Sequence, residues 1–524
     1  MSLLLRDLTI DVSTDEETLP FVAAKILGVD VKTLSRFRIV RRSIDARKKS
    51  RILKVYSVEF CCPDEAALVA RLANIRLETL PDRLEVILPK VHVKHHALVV
   101  GMGPAGLFAA KRLAECGVSV TLIERGRPVE KRIKDVESFW ASGQFDAGSN
   151  VQFGEGGAGT FSDGKLTTRL NHPQRLDVLQ ALVDCGAPGE ILVEARPHVG
   201  TDRLRKVVVN FRRQLIELGV DVRFETCLTD FEIHQGRIAG AVLNHDVSLS
   251  CDSLILAPGH SARDTYLMLD RKGVQLEAKG FAVGVRVEHP AELINRIQYG
   301  SFADRLPAAD YALRYHDDES GRGVYSFCMC PGGEVINAAS EADGLVVNGM
   351  SRMARKGDYS NSALVVTVGP QDWGGEKLGG MHFQQEWERK AFVAGGSGFL
   401  APAQNMMSFI GKAGEVLKSS CRPGIVASEL REVLPGFVYS GLQRALPHFN
   451  RKMRGFLTAE AMLVGVETRT SAPLRITRNE RGESVSHRGL FPTGEGAGYA
   501  GGIMSAALDG LRAADQVVNS VLDP

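Results

Sequence analysis

The chain has 524 residues, 44% of them hydrophobic and 24% charged, with a formal net charge of +2. That length is a prior of roughly two or three domains, each able to bury its own core. The composition excludes collagen-like, coiled-coil and disordered architectures, and the near-balance of charge excludes a global field that would drive the chain onto nucleic acid or an acidic membrane.

The first 93 residues read as a separate unit. The pattern predicts a strand over 3–12 and a helix over 16–27 capped by Thr14 or Asp15. Strands follow over 37–44 and 52–60, around the polar turn Arg47-Lys48-Lys49-Ser50. A helix over 64–75 and a strand over 84–88 complete a βαββαβ, ferredoxin-like order. The unit holds one dense basic cluster: Arg36, Arg38, Arg41, Arg42, Arg47, Lys48, Lys49, Arg51 and Lys54, against Asp45 alone. It reads either as a patch for RNA or an acidic partner, or as a solvated hairpin whose charges protect an edge strand. The second reading is favoured, because no aromatic stacking residues accompany the charge.

Next comes a short apolar strand, Ala97-Leu98-Val99-Val100, running into Gly101-Met102-Gly103-Pro104-Ala105-Gly106. A helix over 107–116 and a strand over 118–123 lead to Glu124. Strand, G-x-G-x-x-G, helix, strand and acid stand in the order and spacing of a dinucleotide site. Gly101 permits the tight turn, Gly103 lets the backbone approach a pyrophosphate, and Gly106 lets helix and strand pack closely. The helix start supplies N–H groups and partial positive charge to the phosphates. Glu124 is expected to accept from a ribose diol and to disfavour a 2′-phosphate.

Three later stretches ask for a cofactor larger than a simple nicotinamide site needs. Residues 151–165, VQFGEGGAGTFSDGK, form a glycine-rich loop that includes Gly157 and ends at Lys165. Strands are predicted over 222–226 and 253–257, the second ending in Ala257-Pro258-Gly259-His260. Finally Gly494-Glu495-Gly496-Ala497-Gly498 and Gly501-Gly502 lead into a predicted helix over 503–522, whose start could stabilise negative charge on the same ligand.

On these residues the chain resembles the two-dinucleotide-binding-fold flavoproteins. It is most similar to bacterial FAD-dependent dehydrogenases that carry a ferredoxin-like N-terminal extension. The resemblance also rests on residues 41–49 (RRSIDARKK), 326–333 (SFCMCPGG) and 467–473 (ETRTSAP). It implies FAD, with pyrophosphate on Gly103, Pro104, Ala105 and Gly106 and ribose on Glu124. It further implies Arg125 and Arg132 near the adenosine or phosphates and Leu228 offering backbone to the adenine. Ala257 and Gly259 match the family's strand-ending A-T-G, with Pro258 in place of threonine. Gly494-Glu495 match its Gly-Asp pair, glutamate replacing aspartate, and Gly502 faces the flavin pyrimidine edge.

The predicted fold class is therefore α/β: a Rossmann-like FAD-binding domain (94–265 and 471–524), an inserted α+β substrate or cap domain (266–470) and the ferredoxin-like domain (1–93). Within the cap, strands are predicted over 281–288 and 363–368, and helices over 384–392 and 424–433. Two candidates for chemistry stand out: Arg469, as a bidentate anchor for an anionic substrate, and Lys165, beside the flavin's polar edge. His260 is read as a structural histidine rather than a base. Cys328 and Cys330 form a C-x-C pair, read as small packed residues in preference to a redox pair, and no further spacing suggests a metal site.

The function these residues support is an FAD-dependent oxidoreductase that passes a hydride between flavin N5 and a small-molecule substrate, with NAD(P)H left open as a transient electron donor. The alternatives are an RNA-binding flavoprotein that modifies RNA bases and a flavin-holding sensor without turnover. Nine cysteines without a disulfide spacing point to a reducing compartment, hence the cytoplasm. The opening MSLLLRDLTIDV, with charges after its leucines, is not expected to be a signal peptide. The uncharged stretch 391–411 carries Pro402, Gln404 and Asn405 and is expected to be loop-rich rather than membrane-spanning.

Overall fold

The computed structural model describes residues 2–72, 76–81, 88–168 and 172–523. The N-terminal unit is a four-stranded antiparallel sheet. In spatial order its strands are Ser35–Asp45, Leu53–Cys61, Ser2–Asp11 and Leu77–Leu80. Helices Leu19–Leu27 and Glu65–Arg71 accompany them. Asp15 caps the first helical turn, its carboxylate accepting from the Glu17 amide at 3.0 Å. Leu77–Leu80 pairs with Ser2–Asp11. The stretch 84–88 is the more apolar and drew the prediction; most of it lies outside the described residues.

This unit is stitched to the rest of the chain. The Arg42 amide donates to the Val193 carbonyl at 2.7 Å and the Ala195 amide donates back to Arg42 at 2.8 Å. The Arg42 guanidinium bonds Glu194 and Glu16. At the hairpin's far end Ile52 is fully buried in the core of the large antiparallel sheet. Of the basic residues, Arg36, Arg38, Arg41, Arg47, Lys48, Lys49 and Arg51 remain exposed, Arg38 paired with Glu59.

The nucleotide-binding part is a five-stranded parallel sheet in the order Leu490–Pro492, Ser253–Leu256, His96–Val100, Ser119–Ile123, Asp221–Arg223. Its buried positions are apolar except for Thr121 and Ser253, as a sheet covered on both faces favours. An antiparallel meander, Leu228–His234, Arg237–Leu243 and Val247–Ser250, follows the edge strand. Helices Pro104–Glu115 and Ile503–Leu522 lie against each other on the sheet. They approach closely because Gly510 has no side chain: a Cβ there would stand 2.1 Å from the Ala105 carbonyl oxygen.

Between these segments runs a seven-stranded sheet. Its order is Arg314–Asp317, Arg322–Cys330, Tyr359–Val368, Phe281–Pro290, Met462–Glu467, Ala401–Asn405, Ile425–Ala427, all antiparallel but for the last pair. Helices Ala291–Tyr299 and Gly436–Lys452 pack on it and share one apolar core with it. The helix expected over 424–433 is not there: Ile425–Ala427 is a strand and Leu430–Glu432 a single 3₁₀ turn. The helix begins at Gly436, after Pro435, and tolerates Pro447 in its interior because its buried face (Val438, Leu442, Ala445, Leu446, Phe449) outweighs one lost backbone bond. Among the described residues no helix is long and apolar enough to cross a membrane.

Gly510→Ala is expected to force the two helices apart at a cost of about 1–3 kcal/mol. The measurement is the thermal midpoint, which should fall.

Candidate cofactor site

The site is built where the parallel strands end. His96–Val100 runs into Gly101, whose φ of 97° suits glycine and whose missing side chain admits the Ala257 carbonyl oxygen, 2.2 Å from where a Cβ would stand. Gly106 likewise lies on the Gly101 carbonyl, at 1.8 Å. These two contacts press the helix Pro104–Glu115 onto its strand, with Pro104 at the first helical position, where its missing N–H costs nothing. Gly103 is the N-cap and offers no capping side chain. Gly502 is the equally uncapped N-cap of Ile503–Leu522. Two helix starts with free amides are thus brought side by side, and Ala105, Ala257 and Ala506 form a small apolar cluster between them.

What lies in front of them is open. At Gly103 an added Cβ would meet only the Gly157 Cα, at 3.9 Å, and at Gly259, Gly501 and Gly502 it would meet nothing within 4 Å. Elsewhere in the same loops the backbone is packed tightly, so this open space bounds a groove rather than marking loose structure. A diphosphate placed there meets amide donors and partial positive charge.

The structure gives several predicted residues a different task. Glu124 is buried, and its carboxylate already accepts from the amides of Met102, Gly126 and Gly154, each at 2.9 Å. With about four acceptor sites on a carboxylate, it ties the glycine turn to the glycine-rich loop and keeps about one site for a ribose. Arg132 was expected near the adenosine or phosphates. It is instead fully buried, donating to the carbonyls of Asn150, Val151, Glu155 and Gly157 at 2.7–3.0 Å. Desolvation pulls its pKa down to about 10, so it stays charged as the post around which the loop winds. Arg125 pairs with Asp264 through two 2.8 Å bonds and lies over the Phe153 ring. Leu228 opens the meander opposite Leu243, its side chain in the core.

Arg469 is corrected most firmly. It is not a free anchor for substrate. Its guanidinium holds Glu388 at 2.6 and 2.9 Å and also bonds Ser261 and Ser340. Arg263 grips the same carboxylate at 2.9 and 3.0 Å, and the Thr468 hydroxyl donates to it as well. Glu388 is fully buried. Burial alone would raise its pKa, but Arg263 and Arg469 hold it down at about 2. This arginine–glutamate–arginine cluster joins helix Arg263–Arg271 to helix Gly379–Ala394. Beside it, burial together with the charges of Arg469 and Arg263 lowers the His260 pKa to about 3, leaving a neutral ring unsuited to base work at pH 7.

Lys165 and Glu495 fall on two loops at the same crevice. Burial raises the Glu495 pKa to about 7, against the pull of Lys279 and with a push from Cys328. Lys279, which donates to the Ser471 hydroxyl, and Cys328 therefore belong to this region, as does Asp163, bound by Arg355 and Ser351. Sequence reasoning missed Lys279, Asp163 and Arg355, which carry no local pattern. It discounted Cys328, although the C-x-C spacing was visible. Among the described residues no group of His, Cys, Asp and Glu side chains could hold a metal ion.

Comparison with known proteins bears on this geometry. Residues 280–470 match the family described as "FAD-dependent protein, C-terminal domain-like", residues 96–160 an "FAD binding domain", and residues 5–61 a "Domain of unknown function (DUF8436)". A Clostridium beijerinckii protein described as uncharacterized is 45% identical over 99% of both chains. The chain belongs to this family of FAD-dependent flavoproteins. A thiamine thiazole synthase of Aeropyrum pernix is 25% identical over 36% of this chain and 64% of its own. Among solved structures, CtdE in complex with FAD is 14% identical and covers 82% of this chain and 88% of its own, at a TM-score of 0.34. The flavin-dependent brominase Bmp2 is 13% identical over 82% and 80%, at 0.35.

FAD is the cofactor of this flavoprotein, and the residues present fit it. The groove in front of Gly103 and Gly502 is a cradle that side chains would fill, and its donors are amides suited to a diphosphate.

Glu388→Gln leaves two buried guanidinium groups with a neutral partner. It should destabilise the flavoprotein by about 3–5 kcal/mol in denaturant titration. Because the folded carboxyl sits near 2, below its ordinary 4.5, its contribution is full above pH 4.5 and fades as pH falls toward 2. The native protein should lose stability over that window more steeply than the variant does.

Proposed function

We propose that this flavoprotein is an oxidoreductase that moves a hydride between bound FAD and a small-molecule substrate held between the nucleotide-binding part (94–265 and 471–524) and an inserted cap (266–470). When bound, FAD supplies a reversible two-electron acceptor. The chain's own groups do the rest. The amides at Gly103 to Gly106 hold the diphosphate, the remaining acceptor of Glu124 takes the ribose, and Lys165 places positive charge at the crevice. Glu495 carries the proton: with a pKa of about 7 it can take one from a substrate hydroxyl or return it near neutral pH. What carries the reading is that carboxyl's place in the chain: its neighbours Gly494 and Gly496 pack on Ala105 and Gly259 beside the groove, where an added Cβ would stand 2.8 and 2.4 Å from them. NAD(P)H fits as a transient donor, and the free cysteines suit a cytoplasmic enzyme. The N-terminal sheet order and its βαββαβ succession support a ferredoxin-like extension over 1–93.

Anaerobic mixing with a panel of nicotinamides and metabolites tests this. One compound should bleach the flavin, and the rate should rise with pH through about 7 as Glu495 ionises. In Glu495→Gln that rise disappears and the rate falls about 10²-fold or more. A flavin that no compound reduces supports the sensor reading instead.

The exposed basic hairpin supports a second reading, an RNA-binding flavoprotein. Arg42 does not belong to that surface, because it is spent on Glu16 and Glu194. Neutralising Arg41, Lys48 and Lys49 should then flatten the salt dependence of RNA binding by about 0.7 in log–log slope per lost phosphate contact. Absence of salt-sensitive RNA binding by the native protein removes this reading.

A further inference from the structure

The C-x-C pair sits in an irregularity of the large sheet. Strand Arg322–Cys330 pairs with Tyr359–Val368 through Phe327 opposite Ala363, slips, and resumes at Cys330 opposite Asn361. The extra residue makes a bulge, and Cys328 within it has a φ of 44°, in the left-handed region that a cysteine rarely occupies. Such strain persists only where surrounding structure imposes it, and here it is imposed from below. Arg286, fully buried, donates to the Cys328 carbonyl at 2.8 Å and reaches the Cys330 sulfur at 3.7 Å. It is fixed in turn by Asn361 and by Glu467 at 3.0 Å.

Within the bulge the Cys330 thiol donates to the Cys328 carbonyl at 3.5 Å, which holds its sulfur beside Cys328. Two residues of regular strand span about 6.6 Å, at ~3.3 Å per residue, and the bulge shortens that span, which keeps the pair inside the roughly 4.4–6.8 Å over which a disulfide closes. Their surroundings differ in a useful way. Cys328 is partly exposed, and Lys165 and Glu495 are close enough for charges to act between them and it; Cys330 is buried. The neighbouring Cys330 thiol, with Lys165 and Arg286, holds the Cys328 thiol well below its ordinary range, and the same neighbour and burial raise Cys330. By contrast burial raises the thiols of Cys62, Cys116, Cys185, Cys227, Cys251 and Cys421. A reactive thiolate beside a buried partner thiol is the arrangement in which cysteine oxidation is site-selective.

We propose that Cys328 and Cys330 are a redox-active dithiol that exchanges two electrons with the bound flavin. The proposal rests on the oxidoreductase reading and deepens it. In the oxidising direction the Cys328 thiolate and the Cys330 thiol give up two electrons and one proton, and a Cys328–Cys330 disulfide forms. FAD, the oxidant, takes up both electrons and the proton from Cys330, so charge and atoms balance. In the reverse direction the disulfide is opened by the reduced cofactor, and Cys328, the partly exposed sulfur, is the one presented to the crevice.

Two measurements on the full chain test it. First, oxidised holoenzyme is titrated anaerobically with dithionite. The native protein should consume twice the reductant that its flavin alone requires, whereas Cys328→Ser and Cys330→Ser, each retaining the flavin spectrum, should consume only the flavin's share. Second, apoprotein is equilibrated in glutathione buffers of graded potential, alkylated and analysed by mass spectrometry. The peptides of Cys328 and Cys330 should lose alkylation together, in one transition, as an internal disulfide. Equal reductant consumption by native and variant proteins, or two thiols that stay alkylatable throughout, overturns the proposal. A protein that binds no flavin overturns both readings, whereas a flavin that a metabolite bleaches beside two cysteines that take up no reductant overturns the dithiol proposal alone, so the two failures are distinct.

Discussion

The close approach of two helices whose first turns are capped by glycine is the constraint on which the rest of this structure depends. Ile503–Leu522 can lie against Pro104–Glu115 only because Gly510 leaves room for the Ala105 carbonyl, and Pro104–Glu115 can lie on its strand only because Gly106 leaves room for Gly101. The outcome is a pair of uncapped amide arrays at one crevice, drawn from segments some four hundred residues apart in the chain. A glycine in place of a capping side chain costs only a few tenths of a kcal/mol, but it leaves the first amides of each helix without an acceptor. Two side by side, with open space before them, are explained by a ligand that supplies the missing acceptors.

Around that crevice the chain places buried charge with unusual freedom, and each instance fastens one segment to another. Arg132 holds four carbonyls of the glycine-rich loop. Glu388 is shared by Arg263 and Arg469, and Arg286 joins Glu467, Asn361 and the Cys328 carbonyl. Apolar residues of similar volume would serve stability as well or better. What ionic contacts add is geometry: a loop of glycines has no side chains with which to hold its shape, and a central cation fixes it through its carbonyls. The Glu388 cluster fastens helix Arg263–Arg271 and the Thr468-Arg469 segment to helix Gly379–Ala394.

How much of this was legible follows from how local each signal is. The strand, glycine turn and helix at residues 96–115 lie within one short window, so their order and their ligand class are readable directly. So is the C-terminal helix, announced by Gly501-Gly502. The task of Glu124 was half legible. Its position after the second strand is a local fact, but two of the amides that consume its acceptors belong to Gly126 and Gly154, and the latter arrives through a loop with no periodicity. Arg469 and Glu388 are 81 residues apart, and nothing in either neighbourhood announces the other. The helix Gly436–Lys452 was hidden by Pro447, which a propensity reading treats as a stop. The pair at 328 and 330 was visible as spacing, yet its chemistry depends on a bulge and on Arg286, neither of which a linear pattern carries.

The central claim is that the diphosphate of FAD lies against Gly103, where a side chain would be tolerated by the protein but not by the ligand. Gly103 has a φ of −78° and only one protein atom near its missing Cβ, so Gly103→Val should fold with an unchanged thermal midpoint as apoprotein. The decisive measurement is a fluorescence titration of native and Gly103→Val apoprotein with FAD. The account expects stoichiometric binding by the native chain and a loss of about 100-fold or more in affinity, equivalent to roughly 2.7 kcal/mol, in the variant. Equal affinity in the two proteins would contradict it.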